Sequence, residues 1–150
     1  MTETVRKSSV SVEIDDRIIG TWKLVSASST TASGERDEAP YRPGATGFLT
    51  YTAEGRVTAL ISYGGRKPLG MAAGAEEQAE AFKTFFGYAG TYALKGDTVI
   101  HHIEVSSIQN YVSRDLIRTV KIETDRIILT TPPTLVNGKN QTVELIWQRV

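Results

Sequence analysis

No cysteine occurs among the 150 residues of the chain. That excludes disulfide staples, a thiolate nucleophile and any cysteine-held zinc or iron–sulfur centre. Neither sign of charge is in excess, because 17 Lys and Arg balance 17 Asp and Glu. The electrostatic footprint of a nucleic-acid or anionic-membrane binder is therefore missing, and neither partner is expected. Long apolar runs are also missing, and nothing approaches the roughly 18 consecutive apolar residues of a spanning helix. No G-x-S-x-G elbow, P-loop or G-x-G-x-x-G precedes a helical segment, and Gly64, Gly65 and Gly70 lack phosphate-cradling spacing. No cofactor is expected. The two histidines, His101 and His102, are adjacent. On a strand they point to opposite faces, and with no third His no metal site is expected. Ser8, Ser9, Ser11 and Glu13 interrupt the apolar run that a signal peptide would need, so a cytoplasmic protein is expected.

What remains is short alternation punctuated by turns. A polar, flexible tail over 1–16 is expected to precede one domain over 17–150, long enough for a sizeable core. Eight segments read as strands: 18–27, 47–53, 57–63, 91–94, 99–106, 114–123, 127–131 and 143–149. Glu54-Gly55 marks a hairpin, Pro132-Pro133 ends the seventh strand, and residues 137–140 turn the chain into the last. Residues 28–46 hold Gly34, Pro40, Pro43 and the run Glu35-Arg36-Asp37-Glu38, so a mobile loop is expected there. One helix is expected over 76–86, with Ala75, Ala79, Phe82 and Phe86 on a face packed against the sheet or over one end of it. Consecutive short antiparallel strands remove their exposed edges by closing on themselves. The expected fold is all-β: an eight-stranded antiparallel β-barrel with one α-helix.

Gly20-Thr21-Trp22 at the head of the first strand and Trp147-Gln148-Arg149 at the end of the last resemble the lipocalin and calycin signature, a G-x-W whose indole is covered by an arginine of the final strand. Four further segments follow in order: Tyr41-Arg42-Pro43-Gly44, Leu49-Thr50-Tyr51-Thr52-Ala53-Glu54-Gly55-Arg56, Gly90-Thr91-Tyr92 and His101-His102-Ile103-Glu104. With them, residues 18–149 resemble the bacterial and fungal family called lipocalin-like domain. The resemblance implies a lipocalin-like barrel. It leaves the activity open, because calycins include plain carriers as well as cyclases and isomerases. Residues 108–113 read Ile-Gln-Asn-Tyr-Val-Ser where members often carry Pro-Asn-Trp, so no ligand contact is carried over to that loop. Trp22 and Arg149 read as structural, a cation stacked on an indole to close one barrel end.

An eight-stranded barrel is just wide enough to be filled by side chains or to hold one small ligand. Period-two alternation points Leu116, Arg118, Val120 and Ile122 inward on one strand, and Val99, His101, Ile103 and Val105 inward on another. A one-residue slip would instead turn His102 and Glu104 inward, as an imidazole oriented by a carboxylate. Trp22, Leu24, Tyr51, Tyr63, Tyr92, Leu145 and Trp147 are the other expected interior residues. The expectation is that Tyr51, Tyr63, Tyr92 and Trp147 bind a small hydrophobic or aromatic metabolite inside the barrel. Its catalytic version is a cofactor-independent isomerase or cyclase. There His101, or His102 with Glu104, moves a proton, and Arg118 or a tyrosine hydroxyl holds developing oxyanion charge. One alternative is a carrier without chemistry. Another is an interaction domain, its barrel filled by its own side chains. A monomer or homodimer is expected, with gating by residues 28–46 and 76–88.

Overall fold

The computed structural model describes residues 15–136 and 138–150. The strands are β1 (Gly20–Thr31), β2 (Arg36–Asp37), β3 (Thr46–Tyr51), β4 (Arg56–Ser62), β5 (Phe85–Lys95), β6 (Thr98–Ser106), β7 (Asp115–Ile122), β8 (Arg126–Thr130), β9 (Thr134–Val136) and β10 (Lys139–Arg149), with one helix, α1 (Ala75–Lys83), between β4 and β5. They form one antiparallel sheet in the order β2-β1-β3-β4-β5-β6-β7-β8-β10-β9, and the pairing of β1 with β10 closes eight of the ten strands into a barrel. The fold is the expected one. β4 shows why: Val57, Ala59 and Ile61 are buried while Arg56, Thr58 and Leu60 are exposed, the period of a strand with one wet face.

One end is sealed by the tryptophan–arginine pair. Trp22 is fully buried, its indole Nε1 donates to Ile18 O at 2.9 Å, and the Arg149 guanidinium lies 4.2 Å from the ring centroid. Arg149 also donates to Ile19 O at 2.8 Å and Arg17 O at 2.6 Å. Gly20, at φ +133°, lies where a Cβ would come within 2.7 Å of Arg149 Nη1, so this closure requires a glycine there.

Several boundaries depart from the sequence reading. Residues 28–46 are not all loop, because β1 continues to Thr31 along β10 and β2 pairs back onto Ser29 and Thr30. A bulge between Leu24 and Ser26 rephases β1, and ladder pairing asks nothing apolar of its polar end. The helix stops at Lys83, and Phe85 and Phe86 open an 11-residue β5, longer than the strand expected over 91–94. α1 buries none of its residues, and Phe82 is 53% exposed. A second bulge, between Ala89 and Gly90 of β5 and their partners on β6, turns Val105 outward; it is 61% exposed rather than interior. A Cβ on Gly90 would sit 1.8 Å from His102 O, so this close approach requires glycine. The last strand begins at Lys139 rather than Val143 and pairs with β9. Of the tail expected over 1–16, residues 1–14 lie outside the described residues, as does Asn137 of the turn expected over 137–140. No helix among the described residues is long and apolar enough to cross a membrane.

Candidate functional site

The barrel wall is incomplete at the end opposite Trp22. β7 and β8 pair only from Thr119↔Thr130 to Ile122↔Ile127, because β8 ends at Thr130 and the chain turns away through Pro132 and Pro133. Residues 115–118 of β7 therefore have no partner on β8. The gap opens into a cavity of about 550 Å³, lined by Tyr41, Tyr63, Phe86, Ile108, Tyr111, Leu116, Arg118, Thr131 and Val143, with Phe82 and Lys83 of α1 and Leu135 of β9 also on its wall. That volume falls within the range of small-molecule sites.

Local structure delivers these side chains. Tyr41 arrives on a loop drawn against the end of β4: Gly64 N donates to Tyr41 O at 3.1 Å, and a Cβ on Gly64 would meet Pro43 O at 1.7 Å. The Tyr41 and Tyr63 rings are then 5.2 Å apart. The short 3-10 turn Gln109–Tyr111 brings Tyr111 to 5.5 Å from Phe86, which itself lies 5.4 Å from Tyr88. Tyr41, Tyr63, Phe86 and Tyr111 thus form an aromatic part of the cavity wall.

Arg118 is its principal cation. Its Nη1 donates to Ile117 O at 3.0 Å, and the half-buried side chain is part of the cavity lining. It makes no ion pair among the described residues. Asp115, the carboxylate on the cavity wall, is an exposed residue bonded to His102 Nδ1 at 2.7 Å. Burial pushes the Tyr41 hydroxyl pKa up to about 12, against a smaller opposing effect of Arg118.

Beneath the cavity lies a sealed polar chain. His101, the cross-strand partner of Leu116, is 1% exposed. Its Nδ1 is 2.6 Å from Tyr88 Oη and its Nε2 is 2.7 Å from Tyr51 Oη. Burial, then the Arg118 charge, lowers the His101 pKa to about 3, so the imidazole is neutral at pH 7. Burial likewise raises Tyr88 to about 12 and Tyr51 well above the ordinary phenol value. Below them the Tyr92 ring meets Tyr51 edge-on at 4.7 Å, and Tyr92 Oη donates to Thr52 O at 2.9 Å.

Of the residues singled out in the sequence, Arg118 and Tyr63 line the cavity. Tyr51, Tyr92, Trp147 and His101 point inward but belong to the packed floor. His102 and Glu104 are on the outer wall, and the imidazole–carboxylate pair weighed for a slipped register is not formed. His102 is held by Asp115, and Glu104 by Arg56 at 2.6 Å. β6 pairs with β7 in the register that puts His101, not its neighbours, inward. The sequence reading missed Tyr41, Phe86 and Tyr111 as cavity residues. Tyr41 heads one of the family-like segments, and Tyr111 is the aromatic of the loop that departs from the family pattern; both signals were present. No group of three His, Asp or Glu side chains among the described residues is placed to hold a metal ion.

The model of the lipocalin-like domain family matches residues 19–150. No curated protein matches. Among solved structures, a lipocalin-like protein from Bacteroides uniformis is similar at 14% identity, over 89% of this chain and 99% of that one, with a TM-score of 0.46. A redesigned beta barrel is similar at 9% identity, over 90% and 93% of the two chains, with a TM-score of 0.45. A fatty acid transporter, REP1-NXSQ, is similar at 13% identity, over 91% and 98%, with a TM-score of 0.41.

Proposed function

We propose, from the premise that the chain belongs to the lipocalin-like domain family, that it binds one small hydrophobic or aromatic molecule in the cavity between β7 and the turn after β8. One observation carries the reading. In a barrel whose floor is already filled by Tyr51, Tyr92, His101 and Trp147, an aromatic cavity of about 550 Å³ stays open at the mouth. A domain filled throughout by its own side chains would have no such space.

Binding is better supported than turnover. An isomerase or cyclase working through His101 would need a ring nitrogen facing the ligand, and both are occupied by tyrosine hydroxyls. The low pKa of His101 makes it a weak base as well. His102 and Glu104 face away from the cavity. Arg118 and the Tyr41 hydroxyl remain as groups able to orient a polar end of the ligand. The reading is of a binding or carrier protein.

The test uses an uncharged aromatic dye, N-phenyl-1-naphthylamine, whose fluorescence rises on leaving water. Saturable binding at one site is expected. Leu116→Trp, which fills the cavity from its β7 side, is expected to weaken that binding by at least about tenfold while leaving the thermal midpoint nearly unchanged. Equal dye affinity in the folded variant and the parent protein would overturn the assignment of the cavity.

A further inference from the structure

On the wall of this cavity and in the buried layer beneath it, hydrogen-bond donors lack acceptors among the described residues. We infer that the ligand supplies the missing acceptor: a carboxylate at the inner end of an apolar molecule, received by Arg118. This rests on the cavity being the binding site and adds the chemical class of the ligand.

The first observation is a proton inventory. With neutral side chains, Tyr51, His101 and Tyr88 carry three polar hydrogens, one on each hydroxyl and one on the ring. Only two hydrogen bonds join them, at 2.7 and 2.6 Å. Whichever nitrogen bears the proton, one tyrosine accepts from the ring and its own O–H is left over. Among the described residues neither hydroxyl has a second acceptor. In the Nδ1–H tautomer the surplus proton belongs to Tyr88, whose ring packs against cavity-lining Phe86.

The second observation is Arg118 itself. Of its five N–H groups, one donates to the neighbouring Ile117 carbonyl, and no carboxylate among the described residues pairs with it. Asp115 is turned outward to His102. The third is Ser29, whose Oγ, like Trp147 Nε1 in the packed floor, is buried without a partner among the described residues. Its cross-strand partner on β10 is Val143, a residue of the cavity wall, so the two side chains share the inward face.

A neutral apolar ligand filling this space would strip water from Arg118 and return nothing. A carboxylate accepts two parallel N–H bonds from a guanidinium fork, and its remaining lone pairs suit hydroxyl donors.

The experiment compares biphenyl-4-carboxylate with biphenyl-4-carboxamide, two molecules of nearly the same shape, by calorimetric titration of the full chain at pH 7.5. The acid is expected to bind about ten- to a hundredfold more tightly, the range for a hydrogen bond to a charged group. Arg118→Met is expected to bring the acid down to the amide's affinity, with the amide changed by no more than about twofold. Arg118→Lys should keep part of the preference, which separates loss of charge from loss of fold. Equal affinities for acid and amide, with the uncharged dye still bound, would overturn this inference and leave the cavity reading standing. A preference for the acid that survives in folded Arg118→Met would also overturn it. If neither biphenyl probe nor the dye binds, the cavity reading fails and this inference with it.

Discussion

His101→Phe is expected to destabilise the protein by about 3 kcal/mol at pH 7, because it keeps a ring in the barrel floor but leaves the buried hydroxyls of Tyr51 and Tyr88 without their partner. The deficit should shrink in acid. In the folded protein the His101 pKa is about 3, whereas in the unfolded chain it returns to about 6.5. Between those values the unfolded state binds more protons, so this histidine stabilises the fold above pH 6.5 and that contribution is lost as pH falls toward 3. The slope approaches about 1.4 kcal/mol per pH unit. The phenylalanine variant has no such proton to take up. Urea denaturation at pH 7 and pH 4.5 should therefore show the gap between the two proteins narrowing by roughly 2.5 kcal/mol. A gap of the same size at both values would mean that His101 is not held neutral between the tyrosines.

Trp22→Ala should cost roughly 3–5 kcal/mol, the range for emptying the space of a fully buried large aromatic. It also removes the donor to Ile18 O and the ring beneath the Arg149 guanidinium. Arg149→Met, which keeps the stem over the indole, should cost about 1 kcal/mol. The urea midpoints of the two variants measure the difference. A loss below about 1 kcal/mol for Trp22→Ala would mean that the end of the barrel does not depend on its plug.

The barrel was legible wherever period-two alternation ran unbroken. β7 follows it, and Gly20, Trp22 and Arg149 announce the closure, whereas β3 and β4 alternate in burial but too weakly in sequence to fix their faces. Bulges erased it elsewhere. Val105 falls out of phase because Gly90 meets β6 at a register shift that the β6 sequence does not display. The start of β5 was hidden because Phe85-Phe86 continues a helical pattern on paper, while in the fold Phe86 pairs with Ile61 of β4. The inward directions of His101 and Arg118 were readable from alternation. The depth at which each sits was not, because it depends on where β8 stops pairing with β7. That is set by Pro132 and Pro133 in the turn after β8, not by the strands that carry His101 and Arg118. Tyr41 illustrates the same limit. Its loop is polar and rich in proline and glycine, and only the backbone approach of Gly64 to Pro43 brings the ring to the barrel mouth.

A crystal structure of the protein with biphenyl-4-carboxylate tests the central claim most directly, since it shows where in the barrel a ligand lies and which end points in. The biphenyl should occupy the space between Tyr41, Phe86 and Leu116, with a carboxylate oxygen about 3 Å from the Arg118 guanidinium and the Tyr51–His101–Tyr88 chain intact below it. A ligand seated among Tyr51, Tyr92 and Trp147 with that chain broken, or bound on the outer wall beside His102 with the mouth cavity unused, would contradict the account.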